Sequence, residues 1–190
     1  MLQIHFPFKP FITTQPWGNP NPAYRAAGFS FSDHNGWDAN TGGKPATGWP
    51  VYCPVEGFTV YQVDYMPKGG GNEVRLISDE PVAMGDRADL HAYIILCHAE
   101  KVLVKAGDKP KLGELLMIAD NTGFSTGPHT HFGLYRINWD GKTIGFADNN
   151  DANGSYNPGE FFTGEFAIDK AILGTYMTNG LRYYKYMLTK

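Results

Sequence analysis

Charge is scarce in this 190-residue chain: Lys, Arg, Asp and Glu make up 18% of it, and the formal net charge is only -3. The basic residues are scattered, so no stripe suited to a phosphate backbone forms, and nucleic acid is excluded as an expected partner. No apolar run approaches the ~20 residues needed to span a bilayer. The first residues, MLQIHFPFKPFITTQPWG, lack a basic segment leading into an unbroken apolar stretch, so no secretory signal peptide is expected. Cysteine is scarcer still. Cys53 and Cys97 make neither a disulfide framework nor a CxxC metal site and fall in apolar runs, which points to free, buried thiols. A Cys97 nucleophile served by His98 is the alternative, but neighbours on a strand point to opposite faces.

What the chain has in quantity is turn residues, with Gly 23 and Pro 13, and enough apolar residues, 42%, for one packed core. Short runs rich in Val, Ile, Tyr and Phe alternate with Gly, Pro and Asn clusters: PVYCPV, GFTVYQV, EVRLIS, AYIILC, LLMIAD and HTHFGLYRI. None sustains a 3.6-residue period, so the expected fold is mainly β, a single loop-rich domain built on antiparallel sheet. Residues 1–33 read as an irregular, Pro-rich lead-in, 34–160 as the core and 161–190 as an extension. Turns are expected at 44–50 and 66–72, and a polar stretch at 146–160. Asn179-Gly180, between AILGTYM and LRYYKYML, predicts a C-terminal β-hairpin from about 171 to 188.

Four of the six histidines fall in three places that could converge: His34 with Asp38 four residues on, His98, and His129 with His131. Residues two apart on a strand share a face, so His129 and His131 would both project into one cleft. Two histidines and a carboxylate form a recognised ligand set for catalytic zinc, whose fourth position stays open to water. The plainer alternatives are a hydrogen-bonded strand histidine and a loop hydrogen bond between His34 and Asp38; spacing leaves open which His binds metal. His5 and His91 read as structural. Asn149, Asp151, Asn153, Gly154, Ser155 and Glu160 fall at positions 1, 3, 5, 6, 7 and 12 of an EF-hand-like loop. The competing reading of these residues, without calcium, is a plain polar loop: position 1 is Asn, and no flanking helices are expected.

Along most of residues 12–135 the chain resembles the lysostaphin-type (LytM-like) zinc metalloendopeptidases of peptidoglycan. The resemblance lies in ITTQPWGNPNPAY, HNGWDANTGGKPATGWPVYCPVEGFTV, GGGNEVRLIS, HAEKVLVKAGDKPKLGELL and NTGFSTGPHTHFGLY, in the family's order. It implies that His34 and Asp38 of HxxxD and His131, the second His of HxH, bind one zinc ion. It further implies that His98 and His129 lie near the zinc water as base or transition-state stabilisers, and that Tyr24 helps stabilise the oxyanion. Leu96-Cys97 and Ala99 depart from the family's usual residues around the catalytic His, a change in packing more than in chemistry.

The function expected on that resemblance is zinc-dependent cleavage of peptide crosslinks, stem peptides or bridges at the bacterial cell wall. A long groove flanked by loops at 18–33, 64–72, 84–92 and 138–156 would bind the extended peptide. The alternative is a non-catalytic wall-binding or structural component of a virion or secretion apparatus. A regulator of another hydrolase is disfavoured by the complete ligand set. That no secretory signal is expected also suggests phage origin.

Overall fold

The computed structural model describes residues 1–42 and 48–167. Its elements in chain order are β1 (Ile4–Phe6), β2 (Ile12–Gln15), α1 (Pro22–Ala26), β3 (Trp37–Asn40), β4 (Pro50–Tyr52), β5 (Phe58–Met66), β6 (Gly71–Ser78), β7 (His91–Val102), β8 (Leu115–Ala119), β9 (Thr130–Trp139), β10 (Ile144–Phe146) and β11 (Phe162–Phe166). Each of the six apolar runs contributes a strand, and the mainly β, antiparallel expectation holds.

Nine strands form one sheet with the path β2-β3-β9-β7-β6-β5. β10 extends the far end of β9, while β8 joins the end of β7 and pairs with β4. All pairs in this sheet are antiparallel. Strand alternation then sorts the side chains. Val74 and Leu76 of β6, Ala92, Ile94 and Leu96 of β7, and Phe132 and Leu134 of β9 enter the main core with Trp49, Val51, Phe58 and Leu116. The opposite face carries Arg75, Tyr93, Ile95, His131 and Tyr135, and it is on this face that the cavities open.

The first 33 residues differ from the irregular lead-in expected of them. β2 pairs with β3, Leu2, Ile4 and Phe8 are core residues, and α1 starts at Asn21, whose side chain caps the Ala23 N–H, with Pro22 at the first helical position. β1 pairs in parallel with β11, so the boundary expected at 160 separates partners. Proline punctuation hid these elements because each is short and defined by a distant strand. The turn expected at 66–72 joins β5 to β6. The expected hairpin at 171–188 and most of the turn at 44–50 lie outside the described residues.

Candidate active site

Pairing between β3 and β9 sets Asp38 directly opposite His131, and His34 lies one tight turn before Asp38. The three side chains meet at one point. Asp38 Oδ1 is 2.9 Å from His131 Nδ1 and 3.1 Å from His34 Nε2, and the two nitrogens are 3.1 Å apart. These residues form the one group of three or more His, Cys, Asp or Glu placed to hold a metal ion among the described residues. Ligands bound at ~2.0–2.2 Å in a tetrahedron lie roughly 3.4 Å from one another, so the observed cluster fits a zinc ion after a small expansion.

Surrounding groups hold each ligand in place. His34 Nδ1 donates to the Pro16 carbonyl at 3.0 Å, which leaves Nε2 as the lone-pair nitrogen aimed at the cluster. Gly36, between His34 and Asp38, packs its backbone against the His131 imidazole. Burial alone would raise the Asp38 carboxyl, but hydrogen bonds from His129, His131 and His34 outweigh it and hold the group well below the ordinary carboxylate range. Burial pushes His131 down, in spite of Asp38 beside it.

His129 and His98 stand next to the cluster and not in it. His129 Nδ1 donates to the Gly127 carbonyl at 2.8 Å, with Ser125 Oγ at 3.1 Å, and its Nε2 lies 3.4 Å from the second Asp38 oxygen. Although burial lowers His129, the Asp38 carboxylate raises it further, for a net upward shift. His98 Nδ1 donates to the Thr122 carbonyl at 2.8 Å, and its ring centroid is 4.5 Å from that of His129. Burial, reinforced by the neighbouring His129 and His131, pushes His98 down to about 3, so it is neutral near pH 7.

His98 reaches this place through a backbone irregularity. It has φ +68°, its N–H donates to Gly70, and its carbonyl accepts from Asp120. The register between β6 and β7 also shifts here. The simple alternation that set Cys97 and His98 on opposite faces therefore fails, and both line the same cavity. Cys97 is nevertheless unfit as a nucleophile: burial, with Glu73 and Asp38 nearby, pushes its thiol well up. Cys53 is also buried and pushed up to about 12 by burial.

The cavity over the cluster has a volume of about 510 Å³. Tyr24 lines it, its ring stacked on His34 with centroids 6.2 Å apart. Burial, then the charge of Asp38, pushes its phenol up, so Tyr24 is protonated and able to donate. Phe29 and Phe31, from the segment after α1, and Phe124, from the turn before His129, surround Tyr24. This aromatic rim, Gly36 and Ser125 went unread in the sequence; the Gly of HxGxD and the Ser of STGPH were their only traces.

A second cavity of about 540 Å³ adjoins the first, sharing Ser30, Phe31, Arg75, Ile95, Tyr135 and Asn153. Phe146, Asp148, Asn149, Asn150 and Gly154 also line it. Residues 84–92 line neither cavity. Arg136 ties that loop down instead, bonded to Asp86, the Met84 carbonyl and Asp148, with Tyr156 under its guanidinium. His5 lies 3.7 Å from Glu165, and His91 Nδ1 donates to the Ser78 carbonyl, so both lie outside the site. In the loop considered for calcium, Gly154 has the positive φ expected of its position, but Asn150 spends its side chain closing the turn onto Ala152, Gly154 and Ser155. β10 and a single 3-10 turn flank it in place of helices.

The catalytic domain of the antimicrobial peptidase lysostaphin from Staphylococcus simulans superposes with a TM-score of 0.54 at 24% identity, over 80% of this chain and 91% of that one. The chain has the fold of the lysostaphin-type peptidases. In sequence it is 35% identical over 114 residues to an uncharacterized metalloprotease of Haemophilus influenzae, covering 60% of this chain and 21% of that protein. It is 34% identical over 85 residues to the glycyl-glycine endopeptidase ALE-1 of Staphylococcus capitis, covering 45% of this chain and 21% of that protein. The chain thus spans about a fifth of the length of these curated relatives. No family model matches it. The resemblance to lysostaphin-type metalloproteases read from the motifs therefore holds in both sequence and fold.

Proposed function

We propose that this chain is a zinc-dependent endopeptidase that acts at the bacterial cell wall, hydrolysing crosslinks or stem and bridge peptides of peptidoglycan. The observation that carries this reading is the convergence of His34 Nε2, Asp38 Oδ1 and His131 Nδ1 at the floor of a cavity in which two further imidazoles stand close by. A zinc ion held by these three side chains would supply Lewis acidity toward a peptide carbonyl and lower the pKa of water toward ~7.

The remaining steps belong to the protein. The bond from His98 Nδ1 to Thr122 fixes the tautomer that presents Nε2 as a proton acceptor, and burial keeps that ring neutral. His129, fixed at Nδ1 and pulled toward the charged form by Asp38, suits the complementary role of donating a proton to the leaving amine. Tyr24, protonated and stacked on His34 at the cavity wall, would supply a hydroxyl to the oxyanion. The aromatic rim of Tyr24, Phe29, Phe31 and Phe124 suits a neutral, flexible peptide.

Purified protein loaded with zinc and incubated with sacculi tests this reading. New amino termini are expected, lost on addition of a chelator and restored by zinc. Stoichiometric zinc without release of amino termini would contradict it and would favour a wall-binding component.

A further inference from the structure

We propose that the second cavity is a carbohydrate subsite that receives an N-acetylated amino sugar of the glycan strand, beside the peptide cut in the first cavity. The proposal deepens the endopeptidase reading and rests on it, since glycan is the other half of the same polymer.

Two phenylalanines are well exposed among the described residues, Phe124 at 40% and Phe146 at 56%, and each stands at one of the two cavities. Phe146 is not a loosely attached surface ring. Its backbone is fixed by the pairing of β10 with β9, opposite Ile137. Its ring stands nearly edge-on over two buried tyrosines, with centroids 6.1 Å from Tyr93 and 5.3 Å from Tyr135. An aromatic plane is thus held in position before any ligand arrives, which reduces the entropy lost on binding.

The chemistry of the other walls narrows the occupant. The charged residues lining this cavity are Arg75 and Asp148, and both are committed within the protein. Arg75 is held by Glu73 at 2.8 Å, Asp64 at 3.5 Å and Gln62 at 3.2 Å, and Asp148 by Arg136 at 2.5 and 2.9 Å. Among the described residues a charged ligand finds no free counter-ion in this cavity. The other polar lining is amide and hydroxyl: Ser30, Asn149 and Asn153, with Tyr93 and Tyr135, while Asn150 is committed to its own turn. An aromatic plane beside neutral amides matches a pyranose, which offers one C–H face for stacking and equatorial hydroxyl and acetamido groups for hydrogen bonds. At about 540 Å³ the cavity lies within the ~300–1,000 Å³ typical of small-ligand sites. Its shared wall with the metal cavity would keep a bound sugar next to the scissile peptide.

Titration of chitotetraose into the zinc-loaded protein, followed by amide and aromatic NMR shifts, tests the proposal. Shifts are expected at Tyr93, Phe146, Asn149 and Asn153, with affinity at least tenfold weaker in Phe146→Ala and retained in Phe146→Trp. Asn149→Ala, at an exposed position, is expected to weaken binding threefold or more and serves if Phe146→Ala does not fold. No shifts at millimolar saccharide, affinity unchanged in Phe146→Ala and Asn149→Ala, or displacement of the saccharide from these residues by a sugar-free stem peptide would each overturn it. Binding requires no hydrolysis, so a failure here leaves the endopeptidase reading standing, and an inactive protein that binds chitotetraose contradicts only that reading.

Discussion

Gly36 lies flat against the imidazole of His131: a Cβ at this position would sit 2.5 Å from both Cε1 and Nε2 of the ring and 2.7 Å from the Phe132 carbonyl oxygen. The carbonyl belongs to the sheet and cannot yield, so the ring must. Gly36→Ala is therefore expected to displace His131 from Asp38 and His34 while the rest of the sheet folds. Metal analysis should show zinc affinity down by at least tenfold, with the far-ultraviolet circular dichroism unchanged. Full zinc retention would mean that His131 is not held by this contact.

The fixed tautomers of His98 and His129 lead to a second expectation. Replacing a positioned general acid or base typically costs about 10²- to 10⁴-fold in rate. His98→Ala and His129→Ala are each expected in that range on a defined wall peptide, without loss of zinc. Ser125→Ala should cost less than tenfold, because Gly127 still holds His129 Nδ1 at 2.8 Å. A Ser125→Ala loss as large as that of His129→Ala would give the hydroxyl a direct role.

Acid should destabilise the fold through His98. Its folded pKa, lowered to about 3, lies under the unfolded value near ~6.5, so between these values the unfolded chain takes up a proton that the folded chain refuses. The stability from keeping this ring neutral is present above about pH 6.5 and is lost as pH falls below it, at about 1.4 kcal/mol per pH unit. Urea denaturation of the metal-free protein at pH 6.5, 5.5 and 4.5 should show a slope reduced by about that amount in His98→Asn. An unchanged slope would place the wild-type proton uptake elsewhere.

Cys53 and Cys97 should resist thiol reagents in the folded protein and react fully in guanidinium, because burial holds both thiols protonated. Rapid labelling of Cys97 in the native state, with loss of activity, would reopen its role in the cavity.

The strands and the ligand set differ in how they could be read from the sequence. β7 contains an unbroken apolar run, Ala92 to Cys97, because both faces of its first half are covered, one by the core and the other by the tyrosine layer around Tyr93 and Tyr135. β6 and β9 instead interrupt their apolar residues with Glu73, Arg75 and His131 on the cavity side. β3, with the sequence WDAN, carries no such signal; β9 imposes its extended form, and this pairing brings Asp38 opposite His131. Spacing at the start of β9 predicted a shared face for His129 and His131 but left open which binds metal; the family resemblance implied the division, and the distances agree with it. His131 Nδ1 joins the cluster, while His129 Nε2 touches Asp38 from outside it. The positive φ of His98 was hidden, since His seldom adopts it and the cause lies in distant loops at Gly70 and Asp120. The glycines of those loops have the same origin: at Gly123 a Cβ would collide with Gly71, so the two turns interlock only without side chains.

The division between ligand and catalyst within one HxH pair is tested most directly by measuring zinc content together with release of amino termini from sacculi, for His131→Ala and His129→Ala side by side. His131→Ala is expected to lose both zinc and turnover, whereas His129→Ala keeps stoichiometric zinc and loses turnover. Zinc retained in His131→Ala, or lost from His129→Ala with His131 intact, would contradict the assignment of His34, Asp38 and His131 as the metal centre.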